Sequence, residues 1–267
     1  MERSLSLEFV DPTFILNWCN PVDEKGQYQG IICSLVWSVA LFRVNSAYMV
    51  GIVQSNYGVI LLGGGAVSPA DIAYARQFGQ DLVCADGGAN IALELGLNPV
   101  AILGDLDSAS PQALARWPER VHRISEQDST DFEKCLIHVD APFYLALGFT
   151  GKRLDHTLAA MNALIAHSHR RIVLIAEDDV IFRAPPKFAL DLAAGARVSL
   201  FPMGPSTGRS TGLKWPIDGL NMTPAARIGT SNEATGRVTL NIEGEMLVML
   251  EKPHLFQALS ALADQTH

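Results

Sequence analysis

Between Val59 and Ala176 the chain alternates short apolar runs with polar, glycine-containing loops, and this alternation restricts the fold more than any other feature. Val59 to Leu62 is apolar and stops at Gly63-Gly64-Gly65. Asp81 to Ala85 stops at Asp86-Gly87-Gly88, and Val100 to Leu103 at Gly104-Asp105-Leu106-Asp107-Ser108. His122 to Ile124, Phe143 to Leu147 and Arg171 to Ala176 repeat the pattern. Runs this short, bounded by turn residues, read as buried strands. Helix signals lie between them: Ser68 before Pro69, Pro111, and the segments Ala89 to Leu95, Phe132 to His138 and His156 to His167. Strand, loop and helix in this order predict a three-layer α/β domain with a largely parallel sheet. Polar loops after the carboxyl ends of such strands are where ligands bind.

The pattern changes near Ile181. From Ala196 the pieces are short and strand-like (Arg197 to Pro202, Arg227 to Gly229, Arg237 to Ile242, Met246 to Leu250), separated by Gly, Pro, Asn and Thr. The expected organisation is an α/β domain over 58–180 and an all-β sandwich over 181–267. Residues 1–57 read as an extension. Its apolar run, Ile31 to Phe42, is broken by Arg43 and Asn45 before Met49 to Val53, and a spanning helix needs about 20 apolar residues. The expectation is a poorly ordered or loosely docked segment, or translation that begins at Met49, with no membrane anchor.

Charge narrows the partners. Asp and Glu number 28 against 20 Lys and Arg, a formal net charge of -8. A broad basic face for nucleic acid is not expected. Binding polyphosphate would then need a metal ion, an Arg, or backbone N–H groups. The four cysteines (Cys19, Cys33, Cys84, Cys135) form no CxxC pair. They suggest neither zinc nor a disulfide framework, which fits a cytoplasmic protein.

Asp105 and Asp107 stand two apart in a loop just after a buried strand, so both can face a Mg²⁺ ion shared with phosphate oxygens. The same residues would also suit an ordinary turn. Gln127-Asp128-Ser129-Thr130-Asp131-Phe132-Glu133-Lys134 carries more polar residues than a helix cap by Thr130 or Asp131 requires. Its carboxylates add to those at Asp105 and Asp107, and crowded carboxylates raise each other's pKa or gather a cation. In Gly148-Phe149-Thr150-Gly151-Lys152-Arg153-Leu154-Asp155-His156 the glycines permit close backbone approach, and Arg153 can fork onto phosphate. Asp155 could merely start the next helix, and His156 reads as a helix-start or packing residue. The loop at Asp86-Gly87-Gly88 offers backbone N–H groups to phosphate. Trp215 could stack on an aromatic cation while Ser231 and Asn232 hydrogen-bond it, although a lone Trp is more often core. No Walker motif or complete Gly-x-Gly-x-x-Gly is present.

In order, Ala-Asp-Gly-Gly-Ala-Asn at Ala85, Gly-Asp-Leu-Asp-Ser at Gly104, Gln-Asp-Ser-Thr-Asp-Phe-Glu-Lys at Gln127, Gly-Lys-Arg-Leu-Asp-His at Gly151, Gly-Leu-Lys-Trp at Gly212 and Thr-Ser-Asn-Glu at Thr230 resemble the thiamine pyrophosphokinase family. The resemblance runs from about Gly58 to about Leu250. It implies an α/β domain followed by a β-sandwich, in a homodimer with active sites at the subunit interface. It implies a cytoplasmic enzyme that moves diphosphate from ATP to the hydroxyl of thiamine with Mg²⁺. Carried over residue by residue, Asp105, Asp107 and Asp131 would hold the metal. Asp86, Gly87, Gln127, Thr130 and Arg153 would line the ATP site, and Arg153 and Asp155 would join the three metal carboxylates in catalysis. Trp215 from the partner subunit, with Ser231 and Asn232, would bind thiamine. Leu106 departs from the family's usual Phe. A pterin pyrophosphokinase, an Asp-x-Asp nucleotide-sugar transferase and a non-catalytic sensor are the rival readings.

Overall fold

The computed structural model describes residues 51–263. The Met49 start, the apolar run at Ile31 to Phe42, Cys19 and Cys33 lie outside them. Residues assigned to the leading extension nevertheless enter the fold. Strand β1 (Val53–Gln54) pairs in parallel with β6 (Val139–Asp140), and Ser55 Oγ donates to Asp81 Oδ2 at 2.6 Å.

Strand β2 (Gly58–Leu62) is buried at every position. It lacks polar alternation because a parallel sheet covered by helices has no wet face. Its neighbours are β3 (Gly79–Ala85) and β7 (Tyr144–Leu147), both parallel to it. Beyond β3 come β4 (Ala101–Gly104) and β5 (Val121–Arg123), and beyond β7 comes β8 (Ile172–Ile175), all in parallel pairs. The chain thus runs outward from β2 through β5 and then returns to the other side of β2. That reversal makes the loops after β2 and β7 the topological switch point.

Alternate residues of β2 feed two cores. Ile60 and Leu62 pack with α1 (Pro69–Ala75), α2 (Gly88–Glu94) and α3 (Pro111–Arg116), whereas Val59 and Leu61 pack with α4 (Asp131–His138) and α5 (Leu154–Ala166). The three layers expected from the sequence are these two helical layers and the sheet between them. Helix α1 starts as its sequence implies: Ser68 and Asp71 form a capping box around Pro69.

The same sheet continues into the C-terminal region. β9 (Asp179–Arg183) lies antiparallel to β8, and residue 181, the expected domain border, falls inside it. Next come β12 (Gly229–Glu251) and β10 (Lys187–Leu190), with β11 (Arg197–Leu213) also paired to β12. The sequence suggested several short strands here. Their glycines and prolines bend two long strands instead of ending them. Between Pro202, opposite Met246, and Ser206, opposite Gly244, β11 carries more residues than β12, and Gly244 adopts φ +102°. A Cβ on Gly244 would lie 2.3 Å from Pro205 O.

The all-β reading of 181–267 also misses helix α6 (Leu255–Ala263). Leu255, Ala258, Leu259 and Leu262 recur with helical period and are buried in the same core as Ile60. Each leucine so buried contributes about 1.5–3 kcal/mol. Among the described residues, no helix is long and apolar enough to cross a membrane.

Candidate active site

Three of the switch-side loops converge through their backbones. Directly after β3, Asp86 takes φ +41° and its side chain turns inward, leaving the residue 4% exposed. Its carboxylate accepts from Ser108 N–H (3.2 Å to each oxygen) and Ala109 N–H (3.1 Å), which latches the loop after β3 to the loop after β4. Gly104 ends β4 at φ +145°, and a Cβ there would lie 3.0 Å from both Asp131 Oδ1 and Asp86 Cβ. Only glycine lets the two acidic loops close to this distance.

Leu106 explains how Asp105 and Asp107 come to face outward. It is buried yet left-handed, at φ +67°, a conformation that costs a branched residue roughly 1–2 kcal/mol. Anchoring this side chain in the core turns its neighbours toward solvent. Carboxylate oxygens of Asp86, Asp105 and Asp107 then lie within 4.8 Å of one another. Burial, followed by the charges of Asp131 and Asp107, raises the pKa of Asp86 above the usual carboxylate value, although hydrogen bonds from Ser108 oppose it. Asp105 moves the other way, chiefly because Gln127 Nε2 donates to its Oδ2 at 3.2 Å, with Lys134 and Arg123 adding positive charge.

The Gln127–Lys134 segment supplies both supporting and acidic groups. Thr130 caps α4 in a box with Glu133, so its hydroxyl is engaged by the helix end. Asp131 follows, with Oδ1 held by Lys134 Nζ at 3.1 Å. Lys134 is only 2% exposed and also stands 4.0 Å from Asp105 Oδ2. Lys134 ends the Gln127–Lys134 segment, and the sequence alone gives it no role. Its position four after Thr130, on the face that carries Asp131, was the available signal.

At the switch point Gly63 N–H donates to Leu147 O and Gly65 N–H to Gly148 O. A Cβ at Gly148 would meet Gly63 O at 2.5 Å, so these glycines bring backbone to backbone. Gly87 differs, since a Cβ there would find its first neighbour, Ser108 Cβ, at 3.4 Å. Arg153 and Asp155 are both exposed and form a two-pronged pair, Nη2–Oδ2 2.5 Å and Nε–Oδ1 3.1 Å. Lys152 Nζ donates to Gly64 O across the switch point at 3.1 Å.

Ser231 and Asn232 on β12 and Trp215 in the loop just after β11 form a separate group. Trp215 is 55% exposed beside a cleft of about 360 Å³ whose walls include Ile217, Leu220, Met222, Arg227 and Thr230. Asn232 also lines it, but its amide is committed to the tryptophan loop. Asn232 Oδ1 accepts from Trp215 N–H (3.2 Å) and Glu233 N–H (2.9 Å), while Nδ2 donates to Trp215 O (2.7 Å). Ser231 does not line the cleft. It sits at φ +59°, and its N–H donates to Ser199 Oγ. Sequence reasoning missed the apolar wall and Arg227, which come from the loop before β12.

Comparison with known proteins gives this arrangement a family. Residues 78–175 match the description "Thiamin pyrophosphokinase, catalytic domain", and residues 187–247 match "Thiamin pyrophosphokinase, vitamin B1 binding domain". Thiamine pyrophosphokinase 1 of Oryza sativa subsp. japonica is 32% identical over 195 residues, covering 59% of this chain and 74% of that one. Thiamine pyrophosphokinase 2 of Arabidopsis thaliana is 32% identical over 185 residues, 56% of this chain and 69% of the relative. Among solved structures, thiamin pyrophosphokinase from Candida albicans superposes with a TM-score of 0.65 at 18% identity, covering 78% of this chain and 95% of that one, which bears on fold alone. Two domain descriptions in order, and a relative spanned over most of its length, agree with the motifs and with the fold: the chain belongs to the thiamine pyrophosphokinase family.

Proposed function

We propose that the protein transfers a diphosphate group from ATP to the hydroxyl of thiamine, forming thiamine diphosphate and AMP. The observation that carries this reading is the convergence of Asp86, Asp105 and Asp107 at the carboxyl ends of β3 and β4. Three hard oxygen donors within 4.8 Å of one another suit Mg²⁺, which prefers carboxylates shared with substrate phosphates. Asp86, Asp105 and Asp107 would hold the ion. Asp131, which the sequence grouped with the metal ligands, has Oδ1 occupied by Lys134 and stands beside them. When bound, Mg²⁺ neutralises charge on the phosphate oxygens.

The thiamine hydroxyl oxygen attacks the β-phosphorus, the bond from that phosphorus to the α,β-bridging oxygen breaks, and AMP departs. The hydroxyl proton passes to a carboxylate, Asp131 or Asp155. Arg153, oriented by Asp155, meets the phosphate oxygens, and Gln127, Gly87 and Thr130 border the nucleotide. Residues 58–180 bind ATP and metal, and residues 181–267 bind thiamine. The two matched domain descriptions support that division. Trp215 stacks on the thiamine ring, with the apolar cleft wall opposite. Ser231 and Asn232 shape this site from behind.

A homodimer with shared sites would also cover Leu154 and Leu158, the apolar residues that α5 exposes beside Arg153. Incubation with ATP, Mg²⁺ and thiamine should give thiamine-dependent AMP and an equal amount of thiamine diphosphate. ADP in its place would mean single phosphoryl transfer and sink the reading. Light scattering at assay concentration should report two chains, and a fully active monomer would rule out shared sites.

The tie between Asn232 and Trp215 leads to a further expectation. Asn232→Ala removes three hydrogen bonds at a buried position, leaving Trp215 N–H and C=O without them. Unmaking such bonds costs about 1–3 kcal/mol. The variant should raise KM for thiamine about tenfold, with kcat and KM for ATP changed far less. Equal effects on both substrates would show that Asn232 serves the whole fold and not the tryptophan loop.

A further inference from the structure

Lys134 belongs to the acidic site but takes no part in the proposed chemistry, and its environment is unusual. Lysine is almost never fully buried unless paired. Here the side chain is 2% exposed, and its ammonium stands 3.1 Å from Asp131 Oδ1 and 4.0 Å from Asp105 Oδ2. Those carboxylates belong to different elements. Asp105 follows β4 and Asp131 opens α4, so one ammonium bridges a strand end and a helix start. The other support at Asp105 is Gln127, which donates to the same oxygen, Oδ2. Lys134 and Gln127 therefore engage one side of the Asp105 carboxylate. Oδ1 is left toward Asp107, whose N–H it accepts at 3.3 Å.

We infer that Lys134 is a positioning residue for the divalent cation. By bridging Asp131 and Asp105 it holds the acidic loops together before the ion arrives and presents Asp105 to the cation in one orientation. The inference rests on the metal reading of the preceding subsection. Two effects compete. Removing a positive charge beside three carboxylates would, by itself, draw a cation in more strongly. Without Lys134, however, Asp105 and Asp131 are left facing each other unneutralised and swing apart toward solvent. Residues that orient metal ligands commonly affect metal affinity by 10–100-fold. Positioning outweighs repulsion here because Asp105 and Asp131 sit on separate elements and, among the described residues, Lys134 alone forms ion pairs with both carboxylates. Gln127, which also ties the Asp105 loop to the segment before α4, is neutral and holds Asp105 only.

The test is a titration of the full chain with Mn²⁺ alone, without nucleotide or thiamine, following free Mn²⁺ by electron paramagnetic resonance. Lys134→Met keeps the length of the side chain and removes the charge. It should bind Mn²⁺ about tenfold more weakly than the unsubstituted protein. Unchanged or tighter binding by the folded variant overturns the inference, even where thermal stability falls, because a purely structural lysine would alter stability without altering affinity. If Lys134→Met does not fold, Lys134→Gln keeps a donor for Asp131 but no charge to reach Asp105. Several-fold weaker Mn²⁺ binding is expected there, and wild-type affinity overturns the inference. Absence of Mn²⁺ binding by the unsubstituted protein at millimolar concentration also overturns it. Normal Mn²⁺ binding without release of AMP in the thiamine assay would instead sink the proposed activity and leave the role of Lys134 standing.

Discussion

Asp86→Asn is expected to lower turnover by more than a hundredfold while leaving the metal-free protein at least as stable at pH 7 as the unsubstituted one. The first half follows from the place of Asp86 among the three carboxylates that would hold the cation. Changes that merely orient a metal ligand cost 10–100-fold, so loss of a charged ligand should exceed that range. The second half follows from burial. Asp86 is nearly inaccessible, and burial together with the Asp131 and Asp107 charges lifts its pKa above the usual value of 3.8. The folded state therefore holds the Asp86 proton more tightly than the unfolded chain does. Stability linked to this group is complete below the unfolded pKa and declines as pH rises through the folded one. At neutral pH an ionised Asp86 opposes folding until a cation offsets it. Asparagine carries no charge there, and its Oδ1 can still accept from Ser108 and Ala109 N–H. Urea unfolding in the presence of a chelator, at pH 7 and at pH 3, checks the sign: the advantage of the variant should be present at pH 7 and shrink at pH 3. Near-normal turnover at limiting Mg²⁺ would remove Asp86 from the metal site. A variant less stable at both pH values would mean that the hydrogen bonds to a full carboxylate outweigh the burial penalty.

Asp86 also illustrates what sequence can and cannot disclose. Asp105 and Asp107 were legible as two carboxylates able to face one cation because they stand two apart in one loop that follows a buried strand. The third carboxylate comes from a neighbouring strand, and its closeness depends on the pairing of Val83 with Ala101, Cys84 with Ile102 and Ala85 with Leu103, a register that one chain read alone does not display. The resemblance placed Asp86 at the nucleotide and Asp131 with the metal ligands, whereas the proposed ligand set includes Asp86. Lys134, on the same helix as Asp131, stands against its Oδ1, a contact that the charge pattern of the segment did not disclose. The parallel strands were legible because strands covered on both faces are apolar throughout, as Val59 to Leu62 are. β11 and β12 were not, because only part of each alternates between buried and exposed positions and both are interrupted by residues that bend a strand without ending it. Helix α6 carried a readable apolar period. It was overlooked because the run before it is all strand, and a β domain was extended over it. Asn232 was expected to hold thiamine because the Thr-Ser-Asn-Glu segment resembles the family's, although such a segment is usually a turn. In the structure its amide hydrogen-bonds main-chain atoms of Trp215, seventeen positions away in sequence, and the N–H of Glu233.

Gly88→Ala should destabilise the fold far more than Gly87→Ala, although the two glycines are adjacent in one motif. Helix α2 begins at Gly88, and there the backbone presses against the end of β2. A Cβ on Gly88 would stand 1.9 Å from Leu62 O and 2.7 Å from Leu62 C, both main-chain atoms of the central strand. No rotamer change can relieve such a contact. Either α2 moves outward, opening the core around Ala89 and Ala92, or β2 shifts against β3 and β7. Overpacking in a filled core costs typically 1–3 kcal/mol and occasionally more, and a main-chain clash in the middle of the sheet belongs at the upper end, about 3 kcal/mol. Gly87 has ordinary negative φ and room for a methyl group, so Gly87→Ala should stay within about 0.5 kcal/mol of the unsubstituted protein. Its methyl group would instead project near Ser108, beside the proposed phosphate path. Gly87→Ala is therefore expected to raise KM for ATP in a protein that unfolds normally, while Gly88→Ala lowers the urea midpoint markedly. Similar midpoints for the two variants would mean that α2 can slide on the sheet. The glycine pair would then owe its presence to nucleotide binding alone, and the close packing of α2 on β2 would not be what holds Asp86 at the strand end.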